Sequence, residues 1–217
     1  MQTYLTLVAA LLLLGGQTLL ISCSKPKYFT GTIEYQYTYS SAILDVDSLS
    51  KHTPHKSEFR YDNINYQSRF FAIDTTTYYY YGESGKCLSQ IHAQNKFECE
   101  DYRLPTDTVI SYKEYKTDEK ILGQPCKVIE WQGKYFYNIL YVSTDVKISP
   151  ATYKNHLAYN WKFYGEKADG GLILRSEHRF KNYTMKGMAV KMKKERRLKS
   201  LTIDTEKIDC FNKLPGD

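Results

Sequence analysis

The chain has 217 residues, a formal net charge of +6 and an aromatic content of 15%. That length suits one domain with a sizeable core. Mild basicity with mixed signs does not call for a nucleic-acid partner, and no repeat or low-complexity tract points to an array.

The N-terminus reads as a leader. Residues 5–21 carry no charge, and the apolar core at 5–14 falls within the ~7–15 residues of a signal-peptide centre. Gly15, Gly16, Gln17 and Thr18 interrupt it well short of the roughly 20 apolar residues a spanning helix needs. Leu20-Ile21-Ser22-Cys23 then closes the stretch, and Ser24-Lys25-Pro26-Lys27 opens a polar sequence. This looks like a lipoprotein signal peptide at 1–22, with Cys23 as the lipidated first residue, a tether at 23–30 and one domain at 31–217. Met1-Gln2-Thr3-Tyr4 departs from an ordinary leader in carrying no Lys or Arg. An ordinary cleaved leader and a retained membrane anchor are the alternatives. The location expected is the cell envelope, lipid-anchored, and Ser24 after the cysteine is compatible with the outer membrane.

Strand signals follow in chain order. In residues 31–39, Ile33, Tyr35, Tyr37 and Tyr39 alternate with Thr32, Glu34, Gln36 and Thr38, the period of a strand with one buried face. Residues 57–62, 66–73 and 75–81 read as strands. Residues 87–92 and 96–101 form a hairpin around Ala93-Gln94-Asn95, and 127–131 and 134–143 flank a tight turn at Gln132-Gly133. Leu157, Tyr159, Trp161 and Phe163 alternate in a further strand; Leu172, Leu174, His178 and Phe180 share a face of the next; Leu201 and Ile203 indicate one more. Helix is scarce: Ser149 caps a short one through Pro150 to His156, and a helical turn is expected within 111–120. About ten strands at regular spacing predict an antiparallel sheet that curls on itself.

Four cysteines follow Cys23: Cys87, Cys99, Cys126 and Cys210. An even number in an exported chain favours two disulfides, of three connectivities. Cys87–Cys99 with Cys126–Cys210 is the least demanding, provided strand register puts the first pair on one face. No Cys-x-x-Cys spacing offers a zinc site.

Catalytic signatures are missing. There is no Gly-x-Ser-x-Gly elbow, His-Glu-x-x-His, phosphate loop or dinucleotide fingerprint. His52 and His55 flank Pro54 in what reads as an exposed loop rather than a metal site, and His178 reads as a core or cavity-edge residue. No metal, cofactor or catalytic residue is expected, and the protein is expected not to be an enzyme. The basic run of Lys191, Lys193, Lys194, Arg196, Arg197 and Lys199 reads as a solvated edge or long hairpin whose lysines discourage aggregation, or as a contact for anionic headgroups. The 21 tyrosines fit a half-exposed sheet or an aromatic cavity for an apolar ligand. The candidate cavity or core aromatics are Tyr35, Tyr37, Tyr137, Tyr159, Trp161 and Phe163.

A longer pattern joins these pieces. Gly31-x-Ile33-x-Tyr35 opens the domain; Ile121-Leu122-Gly123-Gln124-Pro125-Cys126-Lys127 follows; then come the aromatic segment around Trp161 and the turn Gly170-Gly171-Leu172. The order resembles Bacteroidota-type exported proteins of unknown function, the GLPGLI family group with a LolA-like fold, although Asp169-Gly170-Gly171-Leu172-Ile173 lacks the proline of the name motif. The resemblance implies a mostly-β fold: a single curved antiparallel sheet, a LolA-like incomplete β-barrel, with one or two short helices against its concave face. It implies a lipid-anchored envelope protein holding an apolar or lipid-like ligand. The alternatives are a structural or interaction lipoprotein with a filled core and an envelope protein partner, and an uncharacterised hydrolase.

Overall fold

The computed structural model describes residues 28–92 and 96–195. The leader, Cys23, the turn Ala93-Gln94-Asn95, the strand expected at Leu201 and Ile203, and Cys210 lie outside the described residues.

Eleven strands form one antiparallel sheet: β1 (Gly31–Ser40), β2 (Lys56–Asp62), β3 (Asn65–Phe71), β4 (Thr75–Tyr81), β5 (Lys86–Ile91), β6 (Lys96–Asp101), β7 (Val109–Ile121), β8 (Gln124–Gly133), β9 (Tyr137–Lys147), β10 (Gly171–Arg179) and β11 (Thr184–Lys194). Their order is β6-β5-β4-β3-β2-β1-β11-β10-β9-β8-β7. Every neighbour is next in sequence except β1 and β11, so the sheet grows outward from that central pair. Its two edges, β6 and β7, are joined by residues 102–108 alone. Laid flat, eleven strands span about 48 Å, whereas that connection reaches at most about 28 Å. The sheet must therefore curl until its edges approach. It stays open, a LolA-like incomplete barrel.

The core lines the concave face. Ile33 and Tyr35 of β1, Tyr61 of β2, Tyr66 of β3, Tyr80 of β4, Ile129 and Trp131 of β8 and Leu140 and Val142 of β9 belong to one buried cluster. Phe29 already packs into it, and its N–H bonds the Lys147 carbonyl at 2.6 Å.

Two short helices complete the fold. α1 (Val46–His52) is capped by Asp45, buries no residue and sits against β1. The β9–β10 connection makes a flap over the concave face, with one turn of 3-10 helix at Pro150–Thr152, another at Ala158–Asn160, and α2 (Trp161–Lys167). Ser149 does cap the first, accepting from the Ala151 N–H, but the helix stops after one turn. Leu157 and Ala158 donate to the Tyr102 carbonyl at 2.7 and 3.0 Å, and Asn155 Nδ2 donates to the Gly82 carbonyl at 2.9 Å. The flap is thus tied both to the edge-to-edge connection and to the β4–β5 turn.

Several expectations are corrected. Residues 157–163 form the flap rather than a strand, and 111–120 belong to strand β7, most of whose residues are exposed. The β8–β9 turn lies at 134–136, closed by the Gly133 N–H on the Phe136 carbonyl. The basic run up to Lys194 sits on β11, the second strand of the β10–β11 hairpin, which is central in the sheet rather than at an edge, and Lys191 pairs there with Glu34 at 3.0 Å. Met188 and Val190 face outward; Gly187 and Ala189 occupy the inner face opposite Tyr37 and Tyr35, and a bulge at Glu34/Tyr35 then turns Met192 toward Ile33. The expected pairing of Cys87 with Cys99 and of Cys126 with Cys210 does not form. Cys87 and Cys126 are buried free thiols, and no disulfide joins two described cysteines. The cause is register: Cys87 opposes Glu100 while Cys99 opposes Leu88, so Cys87 and Cys99 point to opposite faces of the hairpin.

Candidate functional site: an aromatic trough

Curling the sheet and folding the flap over it leaves a trough of about 410 Å³ on the concave face. That is within the roughly 300–1,000 Å³ of small-molecule sites. Alternation supplies its walls: Tyr35 and Tyr37 from β1, Phe59 and Tyr61 from β2, Trp131 from β8, and Leu140 from β9. The flap contributes Tyr159, Trp161 and Tyr164. Trp161 and Tyr164 are three apart on α2, so both ride the helix face turned to the sheet. A second cavity of about 460 Å³ shares Phe59, Phe70, Tyr159 and Trp161 with the first and adds Ser68, Thr76 and Glu100. Tyr159 stands at this junction in a left-handed backbone conformation, φ 54°, as does Asn160 at 62°. Left-handed backbone is uncommon for a bulky residue. Here it is held by the Tyr159 N–H donating to Thr106 Oγ1 at 2.8 Å.

The tyrosine hydroxyls are largely engaged with the protein, so rings rather than polar ends face the trough. Tyr35 donates to the Ile173 carbonyl at 2.8 Å, Tyr37 shares a hydrogen bond with Ser57 at 2.7 Å, and Tyr61 with Tyr153 at 3.2 Å. Burial pushes the Tyr61 hydroxyl up to about 12 and drives that of Tyr35 well above its usual value. Gly187 makes room for this wall, since a Cβ there would meet the Tyr37 ring at 2.7 Å and Ser176 Oγ at 2.9 Å.

The lining contains no Lys, Arg, Asp or Glu. Its polar groups are Asn138, Ser176 and His178, which lie together on β9 and β10, where Asn138 pairs with His178 in register. His178 Nδ1 and Asn138 Oδ1 are 2.6 Å apart. Burial lowers the His178 imidazole to about 4, so it is neutral at physiological pH. Trp131, directly opposite Asn138 across β8 and β9, completes the patch.

A second histidine belongs to the scaffold beside the trough. His156, a residue of the flap itself, is fully buried, with Tyr80 and Tyr102 packed edge-on at 4.5 and 4.6 Å. Burial drives it down to about 3.

Of the six aromatics singled out in the sequence, Tyr35, Tyr37, Tyr159 and Trp161 line the trough. Phe163 packs behind it, edge-on to Trp131 at 5.8 Å and to Tyr112 at 5.5 Å. Tyr137 lies on the convex face, one residue out of phase with Asn138, where its hydroxyl and that of Tyr115 donate to Glu130. Lys113 pairs with the same carboxylate at 3.1 Å. His178 lies in the trough wall. Among the described residues no group of three or more His, Cys, Asp or Glu is placed to hold a metal, and no helix is long and apolar enough to cross a membrane. The sequence reading missed Trp131 and Asn138. Their signal was present: Asn138, Leu140 and Val142 share a strand face, so an amide heads an otherwise apolar row.

No protein-family model matches the chain, and no curated protein sequence matches it. Solved structures do. The structure of PNGF-II in its C2 crystal form aligns with a TM-score of 0.45 at 14% identity, covering 78% of this chain and 28% of that one. The chain therefore spans little more than a quarter of PNGF-II. The lipoprotein LppX of Mycobacterium tuberculosis aligns at 0.34 with 9% identity, covering 75% of this chain and 86% of that one. A putative outer membrane lipoprotein-sorting protein domain from Vibrio parahaemolyticus aligns at 0.30 with 8% identity, covering 78% and 86%.

Proposed function

We propose that this chain is a lipid-anchored protein of the cell envelope, tethered through Cys23, that holds an apolar, lipid-like ligand in the trough of its half-barrel without catalysing a reaction on it. The observation that carries this reading is the lining: a mainly aromatic and aliphatic cavity of about 410 Å³ with no charged side chain, which shares Phe59, Phe70, Tyr159 and Trp161 with a second of about 460 Å³. Burial of apolar surface drives such binding at roughly 25 cal/mol per Å². A tether of about seven residues reaches roughly 25 Å, which keeps the trough close to the bilayer that would supply the ligand. An interaction lipoprotein with a filled core fits this volume less well.

The test is extraction and mass spectrometry of the purified chain. The expected result is acyl-chain compounds recovered in stoichiometric amount from the folded protein and lost on unfolding. An empty trough that takes up no acyl compound on incubation with lipid extract would overturn the reading. For the anchor, Cys23→Ser should abolish incorporation of a fatty-acid label, and persistent labelling would refute it.

A further inference from the structure

We propose that the trough selects ligands with an uncharged hydrogen-bond acceptor, an ester carbonyl or an alcohol oxygen, which docks on the Trp131 indole N–H and the Asn138 amide N–H. The proposal rests on the apolar-ligand reading above and specifies the head group that accompanies the apolar chain.

Trp131 and Asn138 oppose each other in the β8–β9 register, so both side chains project from the same face into the trough. They are 4% and 1% exposed. Trp131 Nε1 and Asn138 Nδ2 are nevertheless without a hydrogen-bond partner. Buried donors are nearly always paired, because leaving one unmet forfeits its hydration for nothing. Tyr80 Oη, His156 Nδ1 and Arg69 Nε are likewise unpartnered, but those residues line neither cavity. Two orphan donors, adjacent in register and in one cavity wall, describe a receptor for an acceptor oxygen.

His178 fixes the orientation. With its proton assigned to Nδ1, it donates to Asn138 Oδ1 at 2.6 Å, which commits the oxygen of the amide and leaves Nδ2 for the ligand. The other ring nitrogen, Nε2, is then a lone-pair acceptor, suited to the hydroxyl proton of an alcohol. The charge of the head follows from what the lining lacks. No Lys, Arg, Asp or Glu is present, and the imidazole is neutral. A free carboxylate or a phosphate would give up its hydration with no counter-charge to replace it. A bare alkane would leave both donors unmet. An ester or a long-chain alcohol satisfies the patch at no such cost.

The experiment uses the full chain and the neutral fluorophore N-phenyl-1-naphthylamine, displaced in turn by hexadecane, hexadecanol, methyl hexadecanoate and hexadecanoate at neutral pH. The ester and the alcohol should displace it at roughly five- to tenfold lower concentration than the alkane, the difference one hydrogen bond makes. The carboxylate should be weaker than the ester. Trp131→Phe and Asn138→Leu should each erase most of the ester-over-alkane preference, read as the ratio of the two displacing concentrations. In a proton–nitrogen correlation spectrum of the unmutated protein, the Trp131 indole resonance should move with the ester and stay with the alkane, a readout that needs no variant to fold. Equal displacement by alkane and ester, or an indole resonance indifferent to both, overturns the head-group proposal and leaves the apolar trough standing. Failure of the fluorophore and all four compounds to bind overturns the two together.

Discussion

Acid should destabilise this fold before any carboxylate is protonated, and His156 is the reason. The ring projects from the flap and is fully buried, and burial lowers its titration from the usual 6.5 to about 3. In the unfolded chain the same imidazole titrates near 6.5. Between those values the unfolded state binds a proton that the folded state refuses, so stability falls as pH falls. At pH 5 the gap is about 1.5 units, and at about 1.36 kcal/mol per unit this removes about 2 kcal/mol. For a domain of this size that lowers the melting temperature by about 4–8 °C. His178, held at about 4 by burial, pushes the same way over this interval. Glu34, Asp101 and Glu177, held below their ordinary values by Lys56, Arg103 and Arg179 respectively, lose their contributions only below about pH 4.5. The interval from pH 7 to pH 5 therefore isolates the histidines. Thermal unfolding followed by circular dichroism at pH 7, 6 and 5 measures the slope, and His156→Phe, which keeps the ring in its aromatic cage, should remove about 2 kcal/mol of the loss at pH 5 and leave the His178 share. An unmutated protein equally stable at pH 7 and pH 5, or a His156→Phe variant with the full slope, would refute the reasoning.

Two further outcomes follow from the same packing. Gly187→Ala forces a methyl group against the Tyr37 ring and Ser176 Oγ; overpacking of this kind costs about 1–3 kcal/mol, so chemical denaturation should show that loss and apolar-probe uptake should weaken as Tyr37 is pushed into the trough. Cys87, whose thiol is pushed up to about 12 by burial, and Cys126 should resist a maleimide in the native state and react within minutes in guanidinium without reductant. Peptide mapping that finds either residue blocked under those conditions would contradict their assignment as free thiols.

How much of this was legible in the sequence varies by element. β1 was readable because Ile33, Tyr35 and Tyr37 face a core on one side while Glu34 faces Lys56 and Lys191 on the other. β7 was not: most of its residues are exposed, so Tyr112, Glu114 and Lys116 share no buried side to impose a period. The flap misled for a different reason. Leu157, Tyr159, Trp161 and Phe163 alternate as a strand would, yet the trough-lining positions on α2 follow helical spacing, Trp161 and Tyr164, with Tyr159 and Asn160 in left-handed backbone that local propensity does not favour. The Cys87–Cys99 pairing depended on a one-residue register that composition cannot set. The trough itself was half visible. Its tyrosines announced an aromatic surface, but Trp131 and Asn138 meet only through the β8–β9 pairing, which is set by the turn at 134–136 and not by one at Gln132-Gly133.

The central claim, that the concave face takes one apolar chain, is tested most directly by titrating the full protein with a fluorescent fatty-acyl methyl ester, alongside Met185→Trp. Met185 lines the trough and is only partly buried, so an indole there narrows the space with little cost to the core. The account predicts saturation at one ligand per chain and about tenfold weaker binding by the variant, equivalent to about 1.4 kcal/mol. Absence of saturable binding, or equal binding by the two proteins, would contradict it.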